Sequence, residues 1–159
     1  MQIKTIKIKK LKAIVSRLKR EGRKIVFTNG CFDILHYGHV RLLEDSKALG
    51  DVLIVGMNSD SSVKKIKGSS RPIRRQRERA GILAALAAVD YVAIFDEKTP
   101  ERIIKDIAPD VLVKGGDWRE GAIVGAEFIR SRGGRVVTVP LVGGYSTTSL
   151  IEKIRSGRR

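Results

Sequence analysis

The two histidines of this 159-residue chain, His36 and His39, fall together in the stretch FDILHYGHVRLLEDSKALG, residues 32 to 50. Three residues apart at the entrance to an apparent helix, their rings can lie on one side, each offering an N–H donor. Free N–H groups at a helix start add to such a cradle for anionic oxygens. Phosphoryl or nucleotidyl transfer asks mainly for positioning and charge neutralisation, so this is a sufficient kind of machinery for it. Three readings compete: a metal-binding pair, two unrelated surface or capping histidines, and a Cys31 nucleophile with a histidine base. Spacing of i and i+4 is the better-known helical metal pair, Cys31 is the only other soft ligand, and no orienting residue for a base is evident.

The elements that must position this pair are legible as alternation. KIVFT (24–28), DVLIVGMN (51–58), DYVAIF (90–95), DVLVK (110–114) and RVVTVP (135–140) are short apolar runs rich in β-branched residues. Their lack of polar alternation predicts strands covered on both faces, as in a parallel sheet. Helical spacing fills the gaps. Val40, Leu43 and Ser46 to Leu49 precede Gly50, read as a helix stop; Ile82, Leu83, Leu86 and Val89 share one helical face; Thr99-Pro100 reads as an N-cap followed by proline. GAEFIRSRGG ends a helix on glycine and STTSLIEKIRS begins the last one.

This order predicts an α/β fold: a Rossmann-like, doubly wound, five-stranded parallel sheet with helices on both faces. A basic amphipathic helix around Leu11, Ile14, Val15 and Leu18 stands in front, dividing the single domain into a helix over 1–23 and a nucleotide-handling part over 24–159. Ligands of such sheets bind beyond the carboxyl ends of the strands, where strand order reverses. That directs attention to residues 28–39, 58–72, 114–119 and 141–149.

The loop after the first strand, TNGCFDILHYGH, is long for a strand-to-helix connection and carries Gly30 and Gly38. Neither G-x-G-x-x-G nor G-x-x-x-x-G-K-[ST] occurs, so any phosphates are held otherwise. Asn58 and Asp60 are equally placed to cap the next helix or to reach a substrate. In KGGDW (114–118), Lys114 and Gly115 open a turn in which backbone can approach a ligand, Asp117 can accept hydrogen bonds, and Trp118 offers a flat face for base or sugar, or simply packs. STTS (146–149) supplies an N-cap at Ser146 or Thr147, and its hydroxyls and free N–H groups, with Thr148, suit the outer phosphates of a nucleotide.

Charge narrows the partners without deciding among them. There are 32 Lys and Arg against 17 Asp and Glu, a formal +15, with ten of the basic residues in the first 24 positions and eight in 64–79. Such patches attract anions, whether phosphorylated small molecules or nucleic acid, or serve only as a solvated basic surface. No apolar run approaches the roughly 18 to 20 residues of a membrane span, and the basic first residues lack the apolar centre of a secretory signal. A cytoplasmic location is expected, with no membrane partner. One cysteine cannot form an internal disulfide, and one Cys with two His is too few for a structural zinc site.

GCFDILHYGH resembles the H-x-G-H signature of the nucleotidyltransferase superfamily that includes cytidylyltransferases, pantetheine-phosphate adenylyltransferase and the class I aminoacyl-tRNA synthetases. With NSDSSVKKIKGSSRPI, VLVKGGDW, IVGAEFI, GGRVVTVP and STTSLIEKI, over about residues 24–155, the chain is similar within that superfamily to heptose 1-phosphate adenylyltransferases, the ADP-heptose synthase domains. The resemblance implies a reaction of ATP with a heptose 1-phosphate to ADP-heptose and pyrophosphate, by direct attack and without a protein nucleophile. It implies that His36, His39 and Lys67 serve catalysis at the triphosphate. Backbone of Phe27, Thr28, Asn29, Gly30, Cys31 and Phe32 would line the nucleotide site, and Asp33 would shape the loop or touch substrate. Lys64 and Lys67 fall where the superfamily places phosphate-neutralising lysines. Arg79 falls where relatives carry a nucleotide-contacting arginine, although Glu78 precedes it and Arg74 and Arg75 replace small residues.

A magnesium ion would accompany ATP, held by phosphate oxygens and water more than by protein. Base choice rests on the resemblance. The near alternatives are a glycerol 3-phosphate cytidylyltransferase and an FAD synthetase, and from another class a basic nucleotide- or nucleic-acid-binding regulatory module. A homodimer is left open.

Overall fold

The computed structural model describes residues 4–116, 121–140 and 142–157. Five strands, β1 (Ile25–Gly30), β2 (Val52–Asn58), β3 (Tyr91–Phe95), β4 (Val111–Gly115) and β5 (Arg135–Val139), form one sheet in the order β3-β2-β1-β4-β5. Every pairing is parallel. The chain first builds outward from β1 through β2 to β3, then returns to the other side of β1 for β4 and β5. The reversal lies between β1 and β4, where such sheets open a ligand crevice.

Side-chain alternation along the strands feeds two cores. Ile25, Phe27, Ile54, Phe95 and Leu112 point to one face, under α1 (Ile8–Arg20), α5 (Glu101–Ile107) and α6 (Ala126–Ser131). Val26, Leu53, Val55, Met57 and Val113 point to the other, under α2 (Tyr37–Lys47) and α4 (Gln76–Ala85). Two covered faces explain why the strands read as unbroken apolar runs. Gly56 permits one close fit, because a Cβ there would stand 2.6 Å from the Phe27 ring.

Helix α1 is part of the first core and not an appendage before residue 24. Leu11, Val15 and Leu18 are buried against β1, β3 and α5 residues, which stabilises by roughly 1.5–3 kcal/mol per side chain. Ahead of it, Ile6 N–H donates to the Val92 carbonyl (2.9 Å) and Val92 N–H to the Lys4 carbonyl (2.8 Å), so residues 4–6 run parallel along the free edge of β3.

Several helix boundaries differ from the sequence reading. The segment between β2 and β3 holds two helices, α3 (Asp60–Lys67) and α4, joined by residues 68–75, and Val89 lies beyond α4 in the second core. Helix α2 stops at Lys47, three residues before Gly50. Gly50 is needed for a different reason: a Cβ there would meet Val26 Cγ2 at 2.7 Å and the Lys24 carbonyl at 2.9 Å. Pro100, not Thr99, is the N-cap of α5, and no side chain caps that helix. Ser146 caps α7 (Thr147–Ser156), as its sequence predicts. Among the described residues no helix is long and apolar enough to cross a membrane.

Candidate active site

The loop from Gly30 to His36 leaves β1 at the crevice and turns back on itself. Phe32 adopts φ 47°, a left-handed conformation rare for a bulky residue. A Cβ on Gly30 would stand 3.0 Å from the Phe32 ring. Glycine at 30 therefore lets that ring fold inward, where it meets the His39 ring at 5.1 Å. His36 is the N-cap of α2 in an extended conformation.

The imidazoles of His36 and His39 stack, with centroids 3.7 Å apart and planes 21° from parallel. Both Nδ1 atoms are buried without a hydrogen-bond partner. Among the described residues no hydrogen bond engages the other ring nitrogens. Burial lowers the His36 pKa, and burial together with its neighbour lowers that of His39 to about 4. The pair is neutral at neutral pH, and each ring donates through one N–H.

The start of α7 joins this group. A Cβ on Gly38 would crowd the His36 ring at 3.2 Å and Tyr145 Cβ at 3.3 Å, and the rings of Tyr37 and Tyr145 meet edge to face at 5.5 Å. The Ser146 hydroxyl accepts from Ser149 N–H (3.0 Å) and is engaged in capping, while among the described residues no hydrogen bond engages the N–H groups of Thr147 and Thr148. Those two groups form the positive end of a ten-residue helix.

Lys67 and Arg71 share a cavity of about 250 Å³ with Thr148, Ile151, Glu152 and Arg155. The charge of Lys67 also pulls the Cys31 pKa down, against the larger effect of burial. Gly68 closes α3 at φ 93°, which turns the chain directly after Lys67. Lys64 is exposed one turn earlier on α3 and lines no described cavity with these groups. The rim thus gathers the histidine loop, the end of α3 and the start of α7.

Other expected ligands turn inward. Arg79 is fully buried: its Nε donates to the Arg74 carbonyl (3.0 Å), its Nη1 to the Cys31 (2.5 Å) and Asn58 (2.8 Å) carbonyls, and its Nη2 to Asp60 Oδ1 (2.8 Å). These bonds tie together the β1 loop, the stretch from Asn58 to Asp60 and the 68–75 connection. Asp60 is thereby an ion-pair partner, and Asn58 donates to the Ser62 hydroxyl (2.9 Å); the cap of α3 is Ser59, whose hydroxyl accepts from Ser62 N–H. Asp33, 3% exposed, accepts from the N–H groups of Ile73 (2.7 Å) and Arg74 (3.1 Å) and pairs with Arg71 Nε at 2.8 Å. It shapes the loop.

On the strands, Phe27 and Thr28 have no exposed side-chain surface, and the Thr28 hydroxyl is buried without a partner. Both sit within the ladder between β2 and β4, short of the rim. Asn29 and Lys114 meet across the reversal point, Lys114 Nζ donating to Asn29 Oδ1 at 2.8 Å, with burial lowering the lysine pKa. Gly115 ends β4 beside them. Cys31 is drawn toward Asn58 Oδ1 (3.8 Å), and burial raises its pKa, which disfavours the thiolate a nucleophile needs. Asp117 and Trp118 lie outside the described residues. Sequence reasoning missed Arg71, whose only signal was its place in the basic run beside a proline.

Comparison with known proteins bears on family and fold. The chain is 55% identical over 147 residues to the bifunctional protein HldE of Geotalea uraniireducens, covering 92% of this chain and 30% of the relative. It is 54% identical over 152 residues to the bifunctional protein HldE of Koribacter versatilis, covering 96% of this chain and 31% of the relative. The chain thus spans about a third of the length of these curated relatives. The crystal structure of the lipopolysaccharide core biosynthesis protein from Thermoplasma volcanium superposes with a TM-score of 0.62 at 29% identity, covering 76% of this chain and 98% of that one. Pantoate-beta-alanine ligase from Francisella tularensis, at 16% identity and a TM-score of 0.65 over 87% of this chain and 67% of that one, shares the fold. Residues 27–152 match the cytidylyltransferase-like family, and this chain is a member of it.

Proposed function

We propose that this chain is a nucleotidyltransferase that moves the adenylyl group of magnesium-bound ATP onto a heptose 1-phosphate, in the cytoplasm, to make ADP-heptose for surface polysaccharide. The observation that carries the reading is the stacked, neutral pair His36–His39, whose open nitrogens share one rim with the start of α7. The similarity to a lipopolysaccharide core biosynthesis protein supports the pathway, and the identity to HldE proteins supports the substrate class.

In this reading a phosphate oxygen of the sugar attacks the α-phosphorus of ATP. The bond from that phosphorus to the bridging oxygen breaks, and pyrophosphate leaves. The imidazole N–H groups donate to the phosphate oxygens as charge builds on them, the exposed N–H groups of α7 hold the departing phosphates, and Lys67 neutralises. No protein nucleophile is needed, consistent with a thiol at Cys31. Among the described residues no three His, Cys, Asp or Glu side chains cluster. In this reading magnesium enters as part of the ATP substrate, bound by phosphates and water.

The deciding measurement is pyrophosphate release from ATP that requires heptose 1-phosphate and stops on chelation. Turnover of CTP with glycerol 3-phosphate instead would replace both substrates in the assignment.

A further inference from the structure

Asp33 and Arg71 form a pair that the expected roles leave unexplained. The Arg71 side chain is 14% exposed and its Nε lies 2.8 Å from Asp33 Oδ2, while the other oxygen of Asp33 is held by the Ile73 and Arg74 N–H groups. Among the described residues no hydrogen bond engages Nη1 or Nη2 of Arg71. Those two nitrogens are the outer prongs of the guanidinium fork, the geometry that suits two oxygens of one phosphate. The buried Asp33 Oδ2 beside Nε accepts no hydrogen bond, so the carboxylate holds the guanidinium by charge alone.

The surroundings match an anion that carries hydroxyls. Lys67, Arg71 and Arg155 bring three positive charges to the 250 Å³ cavity, against one carboxylate, Glu152. Glu152 and the Thr148 hydroxyl can accept from hydroxyl groups, and Ile151 offers an apolar patch to a carbon skeleton. The cavity is below the roughly 300–1,000 Å³ of sites for drug-sized ligands. It is too small for a whole nucleotide and of the right order for a phosphorylated sugar. Asp33 is three residues from His36, so a phosphate on Arg71 lies on the same loop system as the histidines.

We propose that Arg71 binds the phosphate of the acceptor sugar, with Asp33 as its positioning residue, in the cavity between the end of α3 and α7. This rests on the nucleotidyl-transfer reading above and names the acceptor half of that site. The α7 N–H groups remain for the triphosphate, and Thr148 contributes its hydroxyl on the acceptor side.

Arg71→Gln should raise the KM for heptose 1-phosphate by roughly ten- to a hundredfold, the loss of a charge-assisted contact, with the KM for ATP changed by less than about twofold. Arg71→Lys keeps the charge and loses the fork, and should recover only part. Asp33→Asn should raise the same KM, and its combination with Arg71→Gln should do little more than the worse single variant, as for residues that act as one unit. Arg71→Gln also leaves a buried carboxylate without its cation, so thermal unfolding is followed for each variant. The double variant removes that burden and must show the same KM pattern.

A second arm needs no turnover: heptose 1-phosphate titrated by calorimetry without ATP should bind the wild-type chain at least tenfold more tightly than Arg71→Gln. An unchanged acceptor KM or affinity, or an equal rise in the ATP KM, overturns the Arg71 assignment while transfer itself stands. A wild-type chain that neither binds heptose 1-phosphate nor releases pyrophosphate with it overturns the functional reading and this assignment together.

Discussion

His36 and His39 lie ring on ring, 3.7 Å between centroids, at the point where the β1 loop enters α2. Two imidazolium ions at that distance repel strongly, so the unliganded pair is stable only uncharged. A polyphosphate changes the sign of the environment. On the proposed function its negative charge would favour protonation, and the pair would then turn cationic where anionic oxygen arrives.

Replacing either histidine with alanine should therefore lower kcat by about two to three orders of magnitude per lost donor. Steady-state rates, with circular dichroism to verify the fold, check this; an unchanged kcat would remove both residues from the chemistry.

Acid should weaken the unliganded fold through His39. Its pKa falls from 6.5 to about 4 in the folded chain, so between those values the unfolded chain binds more protons. The stability from keeping this ring neutral is fully present above pH 6.5 and is lost as pH falls through about 4. At about 1.4 kcal/mol per pKa unit the whole effect is at most about 3 kcal/mol. Urea midpoints between pH 7 and pH 4 should fall in the wild type and fall less in His39→Gln.

The same linkage predicts proton uptake when ATP binds. An anion that raises the histidine pKa values draws protons from buffer near pH 6. Titration calorimetry in buffers of different ionisation enthalpy reads the number taken up, and His36→Asn should reduce it.

Arg79 should behave as a tie beam. Arg79→Met leaves Asp60 and three carbonyls without their shared donor, and breaking a buried pair on one side costs about 3–5 kcal/mol. Chemical denaturation measures that loss. A variant of unaltered stability with weakened ATP binding would restore a direct ligand role.

Removing residues 1–20 should destabilise the whole domain, not trim an accessory. Leu11 alone, with no exposed surface, should cost about 2–5 kcal/mol as Leu11→Ala. Thermal unfolding of the point variant tests this without deleting the segment along β3.

What the sequence disclosed follows from how local each signal is. The five strands were legible because burial on both faces leaves unbroken β-branched runs, and Ser146 because an N-cap speaks only to the next turn. The histidine pair was legible through scarcity and spacing. The roles of Asp33 and Arg79 were not, since all but one of their partners, loop N–H groups, carbonyls and the Asp60 carboxylate, lie 19 to 48 residues away, set by the fold and silent in composition. Thr99 misled because its neighbour proline can itself occupy the cap position. The packing of α1 was hidden for a related reason: an amphipathic stripe declares that one side is buried, and not against which surface.

The segment at Lys4–Ile6 pairs with Val92 on one margin of the sheet, and among the described residues β5 forms the opposite margin. A foreign strand meets that obstacle at Val92 and none among the described residues along the β5 side. Two copies meeting through that side would saturate each other's hydrogen bonds, so growth would halt at a pair instead of running on into a filament.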